Sequence, residues 1–204
     1  MTLLLSALLF SFSSNLDNVV IGMAYGIKKI KINFISNLII ALITCTGTFL
    51  SMSLGYYINL LLSSNLSNFI GSGAIIILGL YFTIQSLIKL VREHHYKSIA
   101  LKDINEMVDY AVASDQDHSG DLNLKETLIV AFSLTFNNLG TGIGASIAGV
   151  NIFMTVCCTF IISLVTIYIG MILGSNVVGR FMGKYAPLIS GLIFITLGIL
   201  EIFN

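Results

Sequence analysis

Ser13-Ser14-Asn15-Leu16-Asp17-Asn18-Val19-Val20-Ile21-Gly22-Met23-Ala24-Tyr25-Gly26 is the stretch on which the fold turns. It lies inside an apolar run from Leu3 to Gly26 and carries a carboxylate near the middle of that run. In hydrocarbon such a group costs about 2.5–3.5 kcal/mol on insertion scales, so Asp17 is a functional-site candidate by default. A second run, Thr127 to Val150, carries Asn137-Asn138 where the first carries Asp17-Asn18. Two apolar runs with polar pairs at matched depth point to a membrane protein built from two halves around a polar site.

The composition agrees. Of 204 residues, 56% are hydrophobic, 10% are charged and one is proline, and the mean hydropathy is +0.94. A soluble domain carries about 25% charged residues to cover its surface. The start, MTLLLSALLF, lacks a basic leader and a small-residue cleavage site, so the first run is expected to remain a membrane span. Cys45, Cys157 and Cys158 sit in apolar runs without metal-ligand spacing and read as small core residues.

A helical span needs about 20 apolar residues to cross roughly 30 Å of hydrocarbon. Six stretches qualify, near 3–26, 33–62, 67–90, 127–148, 151–175 and 185–203. The expected fold is therefore an all-α integral membrane protein with six transmembrane helices. All 10 basic residues fall in alternate links. Lys28, Lys29 and Lys31 are in the first. Lys89, Arg92, Lys97, Lys102 and Lys125 are in or beside the long polar link, and Arg180 and Lys184 are in the fifth. The positive-inside rule makes that side cytoplasmic and puts both termini outside a bacterial plasma membrane.

Shifting the chain on itself by about 120 residues aligns Phe12-Ser13 with Phe132-Ser133, Asp17-Asn18 with Asn137-Asn138, and Gly22 with Gly142. Each half has three spans, an odd number, so the halves run in opposite directions. The organisation read from this is a first repeat over 1–90, a cytoplasmic link over 91–126 and an inverted second repeat over 127–204. Carboxylate, amide and hydroxyl oxygens at one depth suit a hard or borderline divalent cation, with Asp17, Asn18, Asn137 and Asn138 as the substrate-binding set. Ser13, Ser14, Ser133 and Thr135 read as interhelical hydrogen-bonding groups. Glu201 reads as an interfacial carboxylate snorkelling to water, and His94-His95 as a solvated pair.

The long link holds a separate signal, Asp115 to Glu126, DQDHSGDLNLKE. Against a twelve-residue EF-hand loop, Asp115, Asp117 and Ser119 take positions one, three and five. Gly120 supplies the turn, Asp121 a backbone carbonyl, Asn123 the ninth position and Glu126 the bidentate twelfth. The expected cofactor is Ca2+, bound at Asp115, Asp117, Ser119, Asp121, Asn123 and Glu126. The plainer reading is an acidic helix start. Ile104, Met107, Val108, Ala111 and Val112 recur at helical spacing just before it.

SSNLDNVVIGMAYG and SLTFNNLGTGIGASIAG, with the six spans and the long link, resemble the manganese efflux pump (MntP) family of the LysE-like transporter superfamily. Within it the chain looks most like the branch called sporulation membrane protein YtaF. The resemblance implies transport of a divalent cation such as Mn2+ by alternating access. Manganese-exporting members resemble this chain in having Asp at the matching place in both halves; here the second is Asn137, which removes one negative charge. The expected partners are membrane lipid and a divalent cation, with no nucleic acid; a homo-oligomer is compatible with the pattern. No ATP-binding loop and no nucleophile–base pair occurs, so the chain is not read as an enzyme. Two rival readings are a small-solute exporter of the amino-acid type and a non-transporting calcium-binding membrane protein of sporulation.

Overall fold

The computed structural model describes residues 2–95, 109, 111–115, 117, 119–174 and 179–203. Its long elements are all helices: α1 (Thr2–Ser14), α2 (Leu16–Lys28), α3 (Phe34–Leu60), α4 (Ser64–His95), α5 (Leu124–Ile147), α6 (Ile152–Gly174) and α7 (Gly179–Ile202). Five segments are long and apolar enough to cross a membrane, with α1 and α2 together forming one of them. α5 makes a sixth if its halves, Leu124–Phe136 and Asn138–Ile147, bent by 42°, count as one span. Residues 104, 107 and 108 of the expected helix before the loop lie outside the described residues; Ala111 is fully buried in the bundle.

Sequence alone reads one span over 3–26, and the structure keeps it as one span, Leu3–Lys28, while interrupting its helix at Asn15, whose backbone (φ −105°, ψ 8°) is not helical. At its far end α2 closes in a Schellman motif: Lys29 takes φ 60°, its N–H donates to the Gly26 carbonyl, and that of Ile30 to the Tyr25 carbonyl. The chain then turns through the basic link into α3, capped by Asn33, whose side chain accepts from Ser36 N.

The bundle interior mixes polar side chains with apolar clusters, and its outside is apolar. Ser6, Ser11, Asn15, Asn18, Asn37, Thr44, Ser51, Thr155, Thr159 and Ser163 are buried, whereas Leu50, Phe69, Ile77, Phe136, Phe153 and Ile172 are exposed. Water would reject that outer surface and lipid would not. Helices are held together by close packing and internal hydrogen bonds rather than by hydrophobic exclusion. Asn37 Nδ2 donates to the Leu164 carbonyl at 2.9 Å, joining α3 to α6. α3 packs against α5 and α6, α4 against α7 and α5, and α2 against α6 and α7.

Close approach depends on glycine at the α2–α6 crossing. A Cβ on Gly22 would stand 2.5 Å from the Ile167 carbonyl oxygen and 3.0 Å from Gly170 Cα. Gly140 has nothing within 4 Å of that position. Gly22→Ala should therefore lower stability by about 1–3 kcal/mol through overpacking. Gly140→Ala should be neutral or up to about 1 kcal/mol stabilising through helix propensity. Thermal unfolding of the two variants in detergent measures the contrast.

Candidate functional site

A helix that stops inside a bundle leaves its last carbonyls without partners. In α1 these are the carbonyls of Ser11, Phe12, Ser13 and Ser14, and each is satisfied by a different device. Asn15 Nδ2 donates to Ser11 O at 2.7 Å, and Asn15 N donates to Phe12 O at 3.3 Å. The Ser190 hydroxyl, from α7, donates to Ser13 O at 3.1 Å. Asn138 Nδ2, from α5, donates to Ser14 O at 2.8 Å. The break in span one is thus built from spans one, four and six.

Asp17 enters in the first turn of α2, where the helix dipole favours a carboxylate. Its Oδ1 accepts from Asn18 N at 2.9 Å, which occupies the donor a continuous helix would have given to Ser14. Asp17 is half-buried and lines a cavity of about 280 Å³ with Ser13, Ser14, Gln85, Asn138, Pro187 and Ser190, backed by Phe82 and Phe194. The cavity joins the carboxylate of span one to the amide of span four.

The other expected ligands are distributed differently. Asn18 is fully buried and does not line this cavity. Its Nδ2 donates to Asn15 Oδ1 at 2.8 Å and to Ser163 Oγ at 3.1 Å, and its buried Oδ1 has no hydrogen-bond partner among the described residues. Asn137 stands at the bend of α5, and its side chain lies outside the described residues. Ser13 hydrogen-bonds Ser190 across helices, whereas the Thr135 hydroxyl bonds back to Ala131 O in its own helix. Ser133 is exposed. Sequence reading missed Ser190 and Gln85, because neither belongs to a motif. Asn15 had a legible signal, a run of cap-forming residues (Ser, Asn, Asp) inside an apolar stretch.

Glu201 corrects the expectation of an interfacial carboxylate. It is 4% exposed and accepts a hydrogen bond from the Ser6 hydroxyl. α1 packs against α7 and covers it, a neighbour that hydropathy along span six does not reveal. The side chains of His94 and His95 lie outside the described residues.

The acidic loop forms a second centre. Carboxylate oxygens of Asp115, Asp117 and Glu126 lie within 4.8 Å of one another. Gly120 takes φ 78° at the turn, and Asp115 accepts from Ser119 N (3.1 Å) and Gly120 N (3.1 Å). Glu126 and Asn123 form a capping box at the start of α5, so the plainer helix-start reading is realised as well. The side-chain hydrogen bonds of Ser119, and then of Asn123, hold Asp117 below the usual carboxylate range. Any stability this adds is present above the ordinary Asp pKa and is lost as pH falls through the depressed value. The Ser119 hydroxyl donates to Asp121 O at 2.8 Å, and Asn123 Nδ2 to Asp117 Oδ2 at 3.0 Å, so all six expected loop residues join one network.

This loop is docked. Lys31 N donates to Gly120 O at 2.8 Å and Leu122 N to Lys31 O at 3.2 Å, a one-residue parallel bridge to the first link. Ser36 Oγ donates to Leu122 O at 3.2 Å, and the Leu122 side chain is buried beside Ile30, Ile32 and Ile40.

These features define a polytopic helical membrane protein with a carboxylate set in a largely apolar cavity where the helix of span one is interrupted. A family model described as "Putative manganese efflux pump" matches residues 98–202, and the chain belongs to that family. It is 26% identical over 210 residues to "Probable sporulation protein YtaF" of Bacillus subtilis (strain 168), covering 96% of this chain and 98% of that one. It is 37% identical over 76 residues to "Putative manganese efflux pump MntP" of Oceanobacillus iheyensis, a match spanning 37% of this chain and 41% of the relative. No solved structure matches.

Asn138→Ala should strip the Ser14 carbonyl of its partner and cost about 1–3 kcal/mol. Thermal unfolding in detergent should show this loss, with Asn138→Asp recovering less than half of it, because a carboxylate cannot donate to a carbonyl.

Proposed function

We propose that this protein exports a divalent cation of the Mn2+ type, with Asp17 as the primary ligand. The observation that carries the reading is the Asp17 carboxylate at the break of span one, lining a cavity with Asn138 of span four. An oxygen-only set of carboxylate, amide and hydroxyl groups suits a hard or borderline ion. Asn138 supplies an amide at the cavity, and Asn137 lies beside it at the bend of α5. Asn18 belongs to the expected ligand set, but its buried amide lies outside this cavity, so Asp17 and Asn138 are the members of the set that meet there. The family and the name of the Oceanobacillus iheyensis relative support manganese as the ion. The full-length likeness to a protein named for sporulation supports spore formation as the setting.

Alternating access by inverted repeats over 1–90 and 127–204 has its own support. Under the shift of about 120 residues, close contacts exchange in pairs. Gly22 against Gly170 corresponds to Gly142 against Ser51, and Gly79 against Gly191 corresponds to Gly198 against Ser72. Gly174 over the Met23 carbonyl likewise corresponds to Gly55 over that of Ile143. With the basic links cytoplasmic, both termini are outside and the link over 91–126 is inside.

In the same reading Asp115–Glu126 binds Ca2+ in the cytoplasm and is regulatory or structural rather than part of the ion path. Three converging carboxylates repel one another until a cation or hydrogen-bond donors compensate them.

Reconstituted in liposomes with orientation verified, the wild type should move Mn2+, and Asp17→Asn should slow it by more than about tenfold. A folded wild type that moves no divalent ion overturns the transport reading. Ca2+ binding to the purified chain should fall by more than about tenfold in Asp115→Ala/Asp117→Ala, and unchanged binding overturns the loop assignment.

A further inference from the structure

At the end of the bundle opposite the acidic loop lies a second cavity of about 300 Å³. It is bounded by the end of α3, the start of α4, the turn after α5 and the last turn of α7. Its polar lining is Asn59, Ser67, Asn68 and the buried Glu201, and Ile147, Ala148 and Gly149 complete the wall.

Acceptor oxygens dominate the polar part of this lining. Among the described residues, no Lys, Arg or His contributes to it. The amide oxygens point to acceptor chemistry: Asn59 Oδ1 accepts from the Ser67 hydroxyl, and Asn68 Oδ1 accepts from that of Ser72 at 3.3 Å. The C-terminus of α5 ends on the cavity wall, bringing the negative end of the helix dipole and the Ile147 carbonyl, 3.4 Å from the Ser67 hydroxyl. Glu201 adds a formal charge, kept from lipid by Ser6 and α1.

The cavity also stands in a defined relation to Asp17. Phe10, Phe194, Met52, Ile75, Leu197 and Ala148 form one buried apolar cluster, with Phe82 packed on it. The Phe10–Phe194 ring centroids are 5.9 Å apart and those of Phe82 and Phe194 6.2 Å apart. Phe82 and Phe194 line the Asp17 cavity and Ala148 lines the second one. The apolar layer therefore lies between the Asp17 cavity and the more polar Glu201 cavity.

We propose that the Glu201 cavity is a second divalent-cation site, separated from Asp17 by the Phe10–Phe82–Phe194 layer. A hard cation is held there by the Glu201 carboxylate, the Asn59 and Asn68 amide oxygens and the carbonyl end of α5. The site itself stands independently of the transport reading; its role as the station on the far side of the apolar layer rests on that reading.

Mn2+ binding to the purified full chain in lipid nanodiscs, read by electron paramagnetic resonance, tests it. Asp115→Ala/Asp117→Ala serves as background, so that the acidic loop does not contribute. Glu201→Gln should remove one bound equivalent or weaken it more than about tenfold. Asp17→Asn should remove a different equivalent, so the two losses add. A folded Glu201→Gln protein that binds Mn2+ with unchanged number and affinity overturns the proposal. If Glu201→Gln does not fold, Asn68→Lys puts an ammonium in the cavity. Loss of the same equivalent then supports the site, and unchanged binding overturns it. Loss in Glu201→Gln with none in Asp17→Asn leaves the outer site standing and removes the Asp17 ligand assignment instead.

Discussion

The 2.8 Å hydrogen bond from Asn138 Nδ2 to the Ser14 carbonyl is the contact on which the rest of the site depends. Backbone polar groups inside a bilayer have no water to turn to, so a broken helix survives only where neighbouring side chains complete it. Here the completion comes from α5 through Asn138, from α7 through Ser190 and from the chain itself through Asn15. The same break gives Asp17 its place at the start of α2, where oriented N–H groups and the dipole favour a negative charge. Structural support and candidate ligation therefore use the same amides. A cation taking the Asn138 Oδ1 would leave Nδ2 on the Ser14 carbonyl, so one amide could serve both the cap and the ion.

The bundle achieves close packing with little hydrophobic driving force. Its interior hydroxyls and amides bond across helices, as in Asn37 to Leu164 O and Thr159 to the Ser11 hydroxyl. Where α2 crosses α6, two glycines face each other and the backbones touch. Such interfaces have few flexible side chains to readjust, a property suited to helices that move as units.

At the basic end the acidic loop is joined to the first link by the Lys31–Asp121 bridge and to α3 by Ser36. Leu122 is buried in the cluster that also contains Tyr25, Ile40, Val130 and Ile167, from α2, α3, α5 and α6. A loop contributed by the long link is thus packed against helices of both halves. The carboxylates that converge in it sit directly at the cap of α5, the helix that carries Asn138.

The sequence by itself determined the class, the helices and the polar pairs. An apolar run long enough to span, a carboxylate within it and basic residues confined to alternate links are local properties, and bilayer physics acts on each separately. The clustering of the acidic loop from Asp115 to Glu126 was legible for the same reason, since every residue of the loop lies within one short stretch. The Ser, Asn and Asp run hinted at an interruption near Asn15, but tertiary structure decided that it is tolerated, by placing Ser190 and Asn138, residues remote in sequence, on the freed carbonyls. It also turned Asn18 away from the cavity toward Ser163 and covered Glu201 with α1. Which buried polar group meets which partner is set by helix packing, and hydropathy along one helix carries no information about the face of another.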